Sequence, residues 1–75
     1  MGILHAMDTS VQHILGDNVS SLRKELGLSK VDFCLQAGIS RVLLDRIESG
    51  HSNLKLSTLE HIASALGKAP WELLR

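Results

Sequence analysis

The sequence predicts an all-α domain, a compact bundle of five short helices. Apolar residues recur at spacings of three and four along most of its 75 residues. Small polar residues and glycines fall at short intervals where helices would start and stop. The hydrophobic fraction is 44%, yet Phe33 and Trp71 are its only aromatics. The core is therefore built from Leu, Ile, Val and Ala, which suits packed helices better than a sheet.

Thr9 or Ser10 caps a first helix that runs to about Leu26. Val11, Leu15, Val19, Leu22 and Leu26 share one face of it. Gly16 lies inside this run and marks a break or a late start, and Gly27 ends the helix. Residues 1–10 read as an N-terminal extension or a partial tag, with Met7 as an alternative start, and residues 11–75 as the domain.

Ser29 opens a second helix over about residues 29–37, with Asp32 completing a capping pattern. Phe33, Cys34 and Ala37 form its inward face, and Gly38 stops it. Only Ile39 separates that stop from Ser40, the N-cap of a third helix over about 40–49. Leu43, Leu44 and Ile47 turn inward from this third helix, which ends at Gly50. Two helices joined by so short a glycine-containing turn pack at a steep angle, the geometry of a helix-turn-helix. Residues 51–55 form a polar loop. A fourth helix over 57–66 places Leu59, Ile62, Ala63 and Leu66 inward, with Gly67 as its stop. Pro70 suits the first turn of a short fifth helix carrying Trp71, Leu73 and Leu74. Helices this short are not stable alone, so each is held by its neighbours.

Composition narrows the function. Eight basic and eight acidic side chains cancel, which weighs against nucleic-acid binding unless the charges segregate on the surface. The single cysteine, Cys34, allows no intrachain disulfide, and no apolar run reaches the ~20 residues a membrane helix needs. With no signal peptide in the first residues, a cytoplasmic protein is expected. His5, His13, His51 and His61 lack ligand spacing with one another or with Cys34, so no metal site is expected. Cys34 reads as a small buried hydrophobe. There is neither a catalytic constellation nor a phosphate-binding glycine loop, so neither an enzyme nor a bound cofactor is expected.

Residues 16–74 resemble the Cro/lambda-repressor-like, or XRE-type, helix-turn-helix family. The resemblance rests on Gly16, Val19, Leu22 and Arg23, then Leu28-Ser29, then Ala37-Gly38-Ile39-Ser40. It continues through Arg46-Ile47-Glu48-Ser49-Gly50, Leu56-Ser57-Thr58-Leu59, Ala63-Ser64-Ala65-Leu66-Gly67 and Pro70-Trp71-Glu72-Leu73-Leu74. Phe33 and Cys34 stand where the family prefers Leu and Ala. The resemblance implies a DNA-binding transcriptional regulator in which residues 29–37 are the supporting helix and 40–49 the recognition helix. It places Ser40, Arg41, Val42 and Arg46 toward the bases, and implies a salt bridge between Arg23 and Glu48, whose arginine could also reach a phosphate.

The chemistry of these residues agrees in part. An outward arginine in the major groove can take guanine O6 and N7 together, and Val42 offers an apolar surface to a thymine methyl. Asp45 is out of place beside phosphates, although it can accept from cytosine N4 or orient Arg41 or Arg46. Phosphate anchoring falls to Ser29 and Lys30, where the helix N-terminus favours an anion, and to His51, Ser52, Asn53 and Lys55 in the loop. The family usually has glutamine at the Lys30 position and a more basic loop, so non-specific affinity should be modest.

Two apolar features suggest protein partners. Val31 and Leu35, near Leu43, occupy positions that the family fills with polar residues, and suit a docking partner or the chain's own segment 3–11. Trp71, Leu73 and Leu74 either cap the core or join a second copy. A homodimer on a palindromic operator is therefore expected, of the kind formed by a phage repressor, a restriction–modification controller or an antitoxin. The competing expectation is a protein-interaction module of the same fold with little affinity for DNA.

Overall fold

A computed structural model describes the backbone from residue 3 and the side chains from residue 11 to the C-terminus. All of its described elements are helical: α1 (Ile3–Glu25), α2 (Lys30–Ala37), α3 (Arg41–Glu48), α4 (Leu56–Leu66) and a closing 3-10 turn (Pro70–Leu74). Four α-helices thus stand where five helices were expected, the fifth being a single 3-10 turn of five residues. Pro70 stands at its start, and the Glu72 side chain accepts from the Ala69 N–H at 2.8 Å.

The first helix corrects the sequence reading twice. It starts at Ile3 and not at a cap on Thr9 or Ser10, so the backbone from residue 3 belongs to α1. The side chains of 3–10, and with them the question of an extension docking on α2, lie outside the described residues. Gly16 neither breaks α1 nor starts it. A Cβ at this position would run into the Ile47 carbonyl oxygen and lie 3.3 Å from that of Glu48. Glycine is what lets α1 cross directly over the C-terminal end of α3.

The apolar stripe of α1 is buried only in its middle. Leu15 and Val19 are core residues, while Val11 and Leu26 are each about half exposed. α1 packs mainly against α3 and the closing turn, which leaves the ends of the stripe uncovered. The rest of the core is Phe33, Cys34 and Ala37 from α2, Leu44 and Ile47 from α3, Leu59, Ile62, Ala63 and Leu66 from α4, and Leu73. Leu73 therefore belongs to the protomer's own core and offers nothing to a second copy.

The turn between α2 and α3 is set by local chemistry. Gly38 takes a left-handed conformation (φ 69°) and its N–H bonds back to the Cys34 carbonyl. Ile39 follows, packed against the core, and then Ser40, whose hydroxyl accepts from the Leu43 N–H at 3.0 Å. α4 begins one residue earlier than expected, at Leu56, with Lys55 in the cap position and no side-chain cap. Among the described residues no helix is long and apolar enough to cross a membrane.

Candidate nucleic-acid interface

The third helix is fixed by two residues that are completely buried, Leu44 and Ile47. Helical geometry then turns Arg41, Val42, Asp45 and Arg46 to solvent, and all four are exposed. Val42 retains 70% of its surface. Ser40 is also exposed, but its oxygen is engaged as the cap of α3. Ser29 plays the same part for α2, accepting from the Asp32 N–H at 3.0 Å.

A three-membered ion cluster occupies this face. One oxygen of Asp45, Oδ1, accepts from Lys30 Nζ at 3.0 Å and from Arg41 Nε at 3.4 Å. It bridges the first residue of α2 to the first residue of α3. The Lys30 ammonium, with Arg41 assisting, holds the Asp45 carboxyl below its ordinary range. Asp45 does not orient Arg46, which makes no ion pair among the described residues.

A second ion pair ties α3 to the body. Arg23 Nε meets Glu48 Oε2 at 2.8 Å, and its Nη2 meets Oε1 at 3.2 Å. Its Nη1 donates to the Leu28 carbonyl at 2.9 Å, closing the turn after α1. The two side chains are only 8% and 10% exposed. Arg23 is therefore a strut, with three of its five N–H donors engaged inside the protein.

The loop after α3 divides in two. His51, Asn53 and Lys55 are exposed, and His51 Nδ1 lies 3.2 Å from Ser49 Oγ. Ser52 departs from the expected phosphate set. It is 4% exposed, and its hydroxyl oxygen has no hydrogen-bond partner among the described residues. It borders an apolar groove of about 330 Å³ lined by Val11, Leu15, Leu54, Leu56 and Leu74 among others. The sequence offers no sign of this groove, because its walls come from α1, the loop, α4 and the C-terminus.

Trp71 keeps 60% of its surface and Leu74 38%, while the Arg75 guanidinium stacks 4.6 Å from the centre of the indole. Val31 and Leu35 are exposed on α2, at 58% and 76%. Burial raises the Cys34 thiol above its usual range. Among the described residues no three His, Cys, Asp or Glu side chains gather to hold a metal ion.

Similarity to known proteins follows the same elements. A helix-turn-helix family model, HTH_3, matches residues 19–73. The immunity repressor protein of Bacillus phage phi105 is 42% identical over 53 residues, covering 71% of this chain and 37% of the repressor. This chain thus spans little more than a third of that relative's length. The uncharacterized HTH-type transcriptional regulator y4dJ of Sinorhizobium fredii is 33% identical over 64 residues, covering 85% of this chain and 83% of the regulator. Among solved structures, a hypothetical transcription factor from Neisseria superposes with a TM-score of 0.81 at 31% identity, covering 87% of this chain and 75% of the other. The restriction-modification controller protein C.AhdI from Aeromonas hydrophila superposes with a TM-score of 0.77 at 29% identity, covering 83% and 94%. These relatives carry the names of transcriptional regulators and not of enzymes. The chain belongs to HTH_3, a helix-turn-helix family of DNA-binding transcriptional regulators.

Proposed function

We propose that the protein is a repressor-like regulator that binds a short palindromic duplex as a homodimer, with α3 of each copy in the major groove. The observation that carries this reading is the arrangement of α3. Leu44 and Ile47 anchor it from behind, and Arg41, Val42 and Arg46 stand exposed in front. In this reading Arg41 and Arg46 take guanine edges and Val42 meets a thymine methyl. The Ser40 hydroxyl is spent as a cap, so its part is limited to the backbone near a base or phosphate. Ser29 and Lys30 at the start of α2, with His51, Asn53 and Lys55 in the loop, anchor phosphates; Ser52 is too deeply buried to join them.

The dimer draws support from the exposed end of the chain. Trp71 and Leu74 are open, and Leu74 continues into the groove beside Val11 and Leu56. Dimeric binding requires the two copies of α3 to lie on one side of the duplex about one turn apart, and this end of the chain is the surface proposed for the two-fold contact. The similarity to a phage repressor and to a restriction-modification controller supports the repressor-like role.

Selection from a random duplex pool at low salt, with the Arg41→Ala/Arg46→Ala double variant alongside, tests the proposal. It expects a motif with half-sites about one helical turn apart, absent from the variant's pool. A pool retained equally by both proteins refutes it and favours the second reading, a module whose partner is a protein. That reading has one specific observation behind it, the exposed Val31 and Leu35 on the outer side of α2.

A further inference from the structure

We infer that Asp45 is a specificity-determining residue of the DNA-reading face, acting by withholding Lys30 and Arg41 from phosphates of arbitrary sequence. This inference rests on the DNA-binding reading above. Asp45 lies on the exposed side of α3 between the two arginines assigned to base contacts, so its carboxylate faces the bound duplex. Both cations that it holds belong to the same face: Lys30 at 3.0 Å and Arg41 at 3.4 Å, on a single oxygen. Neither pair stabilises the core, since Asp45 is half exposed and Arg41 slightly more so.

The consequence is electrostatic. Lys30, Arg41 and Asp45 together carry one net positive charge, where the two cations alone would carry two. Non-specific affinity is set by the number of phosphates that basic side chains neutralise. A phosphate approaching Lys30 meets an ammonium that already gives one donor to Asp45, and must lie beside a carboxylate that repels it. A cognate site meets a different surface. Arg41 is held through Nε, so its two terminal nitrogens remain free to form the bidentate contact to guanine. The same carboxylate that penalises random sequence therefore steadies the arginine for the correct base. This also explains how a chain with balanced charge, eight basic against eight acidic residues, can discriminate between sites without a strongly basic surface.

The test compares wild type, Asp45→Asn and Asp45→Glu on a random-sequence duplex and on the selected site, across a salt series. Asn is isosteric with Asp and the site is exposed, so folding is preserved; circular dichroism checks this. Freeing one net charge should steepen the plot of log affinity against log salt by about 0.9, equivalent to roughly fivefold tighter random-duplex binding at about 0.15 M salt. The Asn variant should therefore show both changes, and its ratio of specific to random affinity should fall by fivefold or more. The Glu variant keeps the charge and should keep the wild-type slope. An Asn variant with unchanged slope and unchanged random-duplex affinity overturns the inference while leaving DNA binding intact. Absence of duplex binding by all three proteins overturns the DNA-binding reading itself, and this inference with it.

Discussion

Glu48→Gln is the most informative single change to the framework that holds α3. The substitution keeps the shape of the side chain and one acceptor oxygen but removes its charge. Arg23 would then remain 8% exposed, its guanidinium facing a neutral amide through two bonds that now measure 2.8 and 3.2 Å. Removing one partner of a buried pair typically costs about 3–5 kcal/mol, because the other charge stays buried without compensation. The Arg23 bond to the Leu28 carbonyl survives, which places the expected cost near the lower end, about 3 kcal/mol. A domain of this size has a total stability of roughly 4–11 kcal/mol, so the variant should remain folded at low temperature. Urea unfolding followed by circular dichroism measures the change. With a slope of about 1 kcal/mol per molar for a small domain, the midpoint should fall by roughly 3 M. The double variant Arg23→Met/Glu48→Leu should recover most of the loss, since no charge is then left buried. A Glu48→Gln cost below about 1 kcal/mol, the level of a surface pair, would show that water reaches Arg23 and that the strut does not carry α3.

Gly16→Ala should lower stability by about 1–3 kcal/mol, since the new methyl must push α1 away from the Ile47 carbonyl. A thermal melt that rose, as alanine's helix propensity alone would dictate, would contradict the close approach. Arg46→Ala should weaken binding to the selected site by about 1–3 kcal/mol, whereas Lys30→Ala, made in the Asp45→Asn background that releases the lysine, should weaken all duplexes alike and flatten the salt slope. Equal losses on both duplexes for both variants would remove Arg46 from base reading. Cys34 should resist a thiol reagent in the native protein and react only as the domain opens, followed by the rate of colour release. Its thiol is raised in the folded state, so stability should be level below the ordinary thiol range and decline as pH rises through it; Cys34→Ala should remove that decline.

The elements around the turn were plain in the sequence because each is set locally. Ser29, Gly38 and Ser40 specify their helix ends through their own backbone and side-chain chemistry, and Leu44 and Ile47 repeat at helical spacing. The role of Gly16 is hidden in the sequence for the opposite reason. In one dimension a glycine in a helix looks like a break, and only the path of α3 above it shows that it makes room for a carbonyl. Ser52 followed the same pattern, since a polar loop suggests exposure and its burial depends on α1 and α4 closing around it. In the candidate site, the outward direction of Arg41 and Arg46 could be read from the inward positions of Leu44 and Ile47. The link from Lys30 to Asp45 could not, because it spans 15 positions and depends on how α2 crosses α3.

Trp71 gives this protein an unusual optical property. It is the only tryptophan, there is no tyrosine, and the indole lies on the surface beneath Arg75. Its emission should already resemble that of a solvated indole in the native state, so fluorescence would largely miss the melting of the aliphatic interior. The same placement makes it a selective reporter of the chain's end. Any macromolecule that covers the C-terminal segment would dry the ring, displace the guanidinium and shift the emission to the blue, whereas one that settles on the α3 face alone would leave the spectrum unchanged.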